Sequence, residues 1–140
     1  MYNGGISIVF AWEDYLALAN ELSDASNSEA KLRSSISRAY YASYCSARNY
    51  MIINDHRTIP DDESKHVFIM RYFGGFVPRS KKTRLRTKIS IQLDRMRIRR
   101  GDVDYENEYP AANLVLLHSD AKKTISESKR VIDILKSGGV

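Results

Sequence analysis

In SEAKLRSSISRAYYASYCSARNYMII, residues 28 to 53, the side chains of Leu32, Ile36, Ala39, Tyr40, Ser43, Ala47 and Tyr50 recur every three or four positions. That spacing draws one stripe along an α-helix, started by cap chemistry at Asn27 or Ser28. Small residues at 39, 42, 43, 46 and 47 let neighbouring backbones approach closely, which predicts the central helix of a bundle.

Helical patterns continue on both sides. Val9, Trp12, Leu16, Ala19 and Leu22 make a first stripe, closed by turn chemistry at Asp24, Ser26 and Asn27. Residues 54 to 62 carry Asn, Asp and Pro and read as a loop. A short helix follows from about Glu63 to Phe73, stopped by Gly74-Gly75 and kept from resuming by Pro78. The next runs from about Ser80 to Arg99 on a narrow stripe of Leu85, Ile89, Leu93 and Met96, with Gly101 read as its C-terminal cap and the arginines before it suiting the negative helix end. A last helix, from Pro110 to about Lys136, aligns Leu114, Leu117, Ala121, Ile125, Ser128, Ile132 and Leu135. With no strand pattern and short connections, the expectation is an all-α, four- to five-helix up-and-down bundle forming one domain over residues 1–140.

Composition agrees with a folded chain: 43% hydrophobic and 28% charged residues exclude the profile of disorder. Cys45 is the single cysteine, so no internal disulfide forms, and a reducing, cytoplasmic setting is expected. The apolar run Ile6 to Trp12 is too short to span a bilayer and has no basic residue before it, so neither a membrane segment nor a signal peptide is expected.

Charge is unevenly placed on a chain of net charge +5. Arg79, Lys81, Lys82, Arg84, Arg86, Lys88, Arg95, Arg97, Arg99 and Arg100 face one acid, Asp94, whereas the remainder is mildly acidic. Such asymmetry points either to a polyanionic partner such as nucleic acid or to an ion-paired helix face. Metal and cofactor chemistry is not expected: His56, His66 and His118 are scattered, and no glycine-rich loop joins a strand to a helix. Cys45, mid-helix beside Tyr44, reads as a buried, inert thiol.

Two clusters carry the candidate chemistry. In the stretch from Ser37 to Arg48, Tyr41, Tyr44 and Arg48 share one face of the second helix, either as a binding surface or as amphipathic packing with phenols reaching the surface. RIRRGDVDYE, residues 97 to 106, sets Arg97, Arg99 and Arg100 before Asp104 and Tyr105. A guanidinium there can hold a phosphodiester beside a proton-transfer group; equally, it can cap helix carbonyls.

Together these clusters resemble the HEPN superfamily of small all-helical proteins. The resemblance lies in Arg38-Ala39-Tyr40-Tyr41-Ala42 continuing to Ala47-Arg48, in Ser64-Lys65-His66, and in Arg100 followed by Asp104-Tyr105, in that order across about residues 28 to 135. It implies a bundle that forms a homodimer around a basic cleft, an RNA or nucleotide ligand, and metal-independent endoribonuclease activity as a toxin whose antitoxin is a small nucleotidyltransferase. It also implies catalytic roles for Arg100, Asp104 and Tyr105, and RNA or nucleotide contacts from Arg38, Tyr41, Arg48, His66, Arg97 and Arg99. The pattern departs from the family's nucleases at one place. Their motif places a His beyond the Arg with four to six residues between them, and none of the three histidines here has an Arg five to seven positions before it. Histidine suits proton transfer near neutrality, with a pKa of about 6.5, and tyrosine and aspartate do not. His66 is the candidate to supply that group from another helix. Three readings stay open: a ribonuclease, a non-catalytic binding module partnering a nucleotidyltransferase, and a helical oligomerisation domain.

Overall fold

The computed structural model describes residues 10–24, 27–75, 79–109 and 113–140. It contains five helices: α1 (Asp14–Asp24), α2 (Glu29–Ile53), α3 (Lys65–Gly74), α4 (Lys81–Tyr105) and α5 (Leu114–Lys136). The all-α bundle expected from the stripes is what forms. Side chains at the helix starts take up the free N–H groups that would otherwise lack partners. The Lys31 amide donates to Ser28 Oγ, Leu116 to Asn113 Oδ1, and Ser80 and Thr83 form a reciprocal capping box.

Helix α2 is the central element. Leu32, Ile36, Ala39, Ser43, Ala47 and Met51 are fully buried, and α1, α4 and α5 all pack on it. Burying each large aliphatic among them contributes about 2 kcal/mol. Ser35 Oγ donates to the Ala19 carbonyl at 2.7 Å, which ties α1 to α2. Helix α3 packs chiefly on α4, in the antiparallel sense: Gly74 lies against Ser90, and His66 lies near Arg97 and Arg100. A Cβ at Gly74 would sit 2.6 Å from Ser90 Oγ, so the absent side chain sets how closely the two helices approach.

Two boundaries differ from the sequence expectation. Gly101 is not a cap: α4 runs through it for another turn to Tyr105, with Glu106 at the C-cap. The reason is tertiary. Val103 is buried beside Leu32, Ile36 and Leu117, and Arg33 of α2 donates to the carbonyls of Val103, Glu106 and Asn107 at 3.0, 2.7 and 3.4 Å. A guanidinium 70 positions away thus satisfies the helix end that a local glycine was expected to close. No base occupies the last turn of α4, so the expected match of arginines to the negative helix end does not hold. Helix α5 starts at Leu114 behind Asn113; Pro110, its expected first residue, lies outside the described residues, as do Val9, Ser26 and Pro78. Among the described residues no helix is long and apolar enough to cross a membrane.

Candidate functional site

The end of α4 that extends past Gly101 forms one wall of a groove whose other wall is the start of α3. Ser64, His66, Val67, Arg97, Ile98, Arg100, Gly101, Asp102, Tyr105 and Glu106 line a cavity of about 410 Å³. Such a volume suits a small-molecule or nucleotide fragment. Arg100 is held over aromatic faces, its guanidinium carbon 5.6 Å from the Tyr40 ring centre, 5.7 Å from Tyr41 and 5.9 Å from Tyr105. Asp104, one turn on, approaches it to 3.7 Å, beyond hydrogen-bonding distance, and accepts instead from Ser37 Oγ at 3.2 Å. The buried Nε atoms of Arg97 and Arg100 have no hydrogen-bond partner. Arg97 is tied through its terminal nitrogen to Asp94 at 2.8 Å.

His66 reaches the groove from α3 and is fixed by aromatic neighbours. Its ring stacks on Tyr44 at 4.3 Å, and its Nδ1 shares a 2.7 Å hydrogen bond with the Tyr40 hydroxyl. Burial, together with the guanidinium groups of Arg100 and Arg97, holds His66 below the usual imidazole range. Burial pushes the Tyr40 hydroxyl far above its ordinary value, against the opposing pull of Arg100, so it stays a neutral phenol. With Nδ1–H donating to the Tyr40 oxygen, Nε2 is a free proton acceptor; with the hydroxyl donating instead, Nε2 carries a proton.

The expected site residues divide into groups. Arg97, Arg100, Tyr105 and His66 share the groove, and Asp104 adjoins it through Arg100. Tyr41 supports Arg100 on one side and Arg38 on the other, the Arg38 guanidinium carbon lying 5.0 Å from its ring and 4.8 Å from that of Tyr15. Arg48 stands over Trp12 at 5.2 Å, and Arg99 donates to Thr124 and Glu127 at 2.7 and 2.8 Å, tying α4 to α5 away from the groove. Tyr44 is buried rather than reaching the surface, because His66 covers it. Sequence reasoning passed over Tyr40, which it counted as core, and Ile98 and Gly101, which the turn beyond Gly101 brings into one wall.

Among the described residues no three His, Cys, Asp or Glu side chains gather into a group that could hold a metal ion. Compared with protein-family models, with curated proteins and with solved structures, the chain matches none.

Proposed function

We propose that the α3–α4 groove binds the phosphate of RNA or of a nucleotide, and that His66 there does the proton work of metal-independent RNA cleavage. The observation that carries this reading is the meeting of two arginines, Arg97 and Arg100, with a histidine from another helix in one cavity. Charge-assisted bonds from guanidinium to phosphate are strong and directional. In the reaction the 2′-hydroxyl oxygen attacks phosphorus as its proton passes to Nε2 of neutral His66. The P–O5′ bond breaks, and the leaving oxygen takes a proton from water or from an acid in the groove. Arg100 and Arg97 stabilise the charge that builds on the phosphoryl oxygens.

The HEPN-like order of motifs supports the same assignment. On that likeness the protein acts as a homodimer and as the toxin paired with a nucleotidyltransferase antitoxin. A second reading, a non-catalytic nucleotide- or RNA-binding module, draws support from Asp102 and Glu106 on the groove wall, whose charge opposes build-up of negative charge on a reacting phosphate. Labelled RNA incubated with the purified protein in EDTA separates them. Cleavage by wild type, lost about 100-fold or more in both Arg100→Ala and His66→Gln, supports the nuclease. Binding lost in Arg100→Ala with no cleavage by wild type supports the module. Cleavage undiminished in Arg100→Ala contradicts both.

A further inference from the structure

Gly101 sits inside a helix with no reason of the chain's own to be glycine. Its backbone is helical and its φ is not positive, and a Cβ built on it would meet nothing within 4 Å. Alanine there would favour the helix and disturb no contact, so the glycine costs stability without serving internal packing. Glycine is one of the residues used where a backbone must come close to a ligand, and the bare backbone here leaves room for one. Ile98, Gly101 and Tyr105 lie three and four positions apart on one face of α4, and all three line the groove. Ile98 is 55% and Tyr105 76% exposed, so two apolar side chains stand at either end of a gap floored by bare backbone. The Arg100 guanidinium lies beside the Tyr105 ring.

We infer that this gap is a shelf for an unpaired nucleobase, which lies on Gly101 between Ile98 and Tyr105 while Arg100 and Arg97 hold its neighbouring phosphate. The inference rests on the phosphate-binding reading above and adds the substrate class. Stacking on an exposed aromatic ring needs a free base face, which a duplex does not offer, and it accepts any base. An unpaired base next to a phosphate belongs to single-stranded RNA or to a free mononucleotide.

Fluorescence anisotropy of a labelled single-stranded oligoribonucleotide tests this, with AMP and the annealed duplex as competitors. Gly101→Leu and Tyr105→Ala are expected to weaken binding about tenfold and Tyr105→Trp to keep it, while the duplex competes at least about tenfold less well than the single strand. Gly101→Ala is expected to raise the thermal midpoint by a few degrees and yet weaken binding. Displacement by AMP names the free nucleotide as the source and displacement only by the oligonucleotide names the strand; both support the shelf. Wild-type affinity in Gly101→Leu and Tyr105→Ala, alongside lost binding in Arg100→Ala, overturns the shelf and leaves the phosphate site standing. A duplex that competes equally overturns it too, as does a lowered midpoint in Gly101→Ala. Loss of a dimer in Gly101→Leu at unchanged RNA affinity gives the gap to a second copy of the chain and also overturns the shelf. No binding by wild type, or unchanged binding in Arg100→Ala, removes the phosphate reading itself.

Discussion

The two ends of the α3–α4 contact use the same residue types for different ends. At one, Gly74 leaves the space that Ser90 fills, and Arg86, nearly fully buried, donates to both oxygens of Asp55 at 2.7 and 3.3 Å and to the Val140 carbonyl at 3.1 Å. At the other, Gly101 faces open space, and the Arg100 guanidinium lies over tyrosine rings on a groove wall, with the Asp104 carboxylate at 3.7 Å. The first end is closed by atoms of the chain; the second opens onto a groove. A charge run in sequence therefore divides in three dimensions into arginines that hold the bundle together, Arg86 and Arg99, and arginines that line a groove, Arg97 and Arg100.

The largest effect expected from this contrast is on Arg86. Arg86→Ala removes the guanidinium partner of Asp55, whose carboxyl the bonds from Arg86 and Tyr72 hold below the usual range against the raising effect of burial. The expected loss is about 3 kcal/mol in urea unfolding. Next comes Gly74→Ala, which pushes Ser90 away and opens the helix contact, for a net loss of about 1 kcal/mol by the same measurement. Arg100→Ala gives up contacts with three tyrosine rings but also removes an unsatisfied donor, so its unfolding free energy should fall by less than about 1 kcal/mol. Equal destabilisation by Arg86→Ala and Arg100→Ala would erase the distinction between the two ends.

The smallest effect is one of pH. His66 titrates lower in the folded chain than in the unfolded one, so the unfolded chain binds more protons as the solution is acidified. The stability contributed by neutral His66 is complete above about pH 6.5 and is lost as pH falls through its folded value. Between pH 7.5 and 5.5 the thermal midpoint of wild type should fall more than that of His66→Gln; parallel curves would mean that the imidazole is not held neutral.

How much of this was legible in the sequence follows from which interactions are local. The α2 stripe and the Ser28 cap depend on residues within a few positions of one another, and both form as read. The end of α4 depends on Arg33, far away in the chain, and Gly101 was misread as a cap because no local pattern announces that distant guanidinium. Arg97, Arg100 and Tyr105 were legible as a cluster because they lie together in one short stretch, residues 97 to 106. The Tyr40–His66 bond was not, since Tyr40 fits the buried stripe equally well and only the fold brings α3 against it. Arg99 shows the opposite limit: adjacent to Arg100 in sequence, it points to α5 and serves the bundle.

The most direct test of the claim that the Arg100 end is a phosphate site is RNA affinity at two salt concentrations for wild type and Arg100→Ala, with folding checked by the thermal midpoint. The expected result is salt-sensitive binding by wild type, and in the variant an affinity at least about tenfold lower with a salt slope shallower by about one phosphate contact, at a nearly unchanged midpoint. The same affinity and the same slope in both proteins would contradict it.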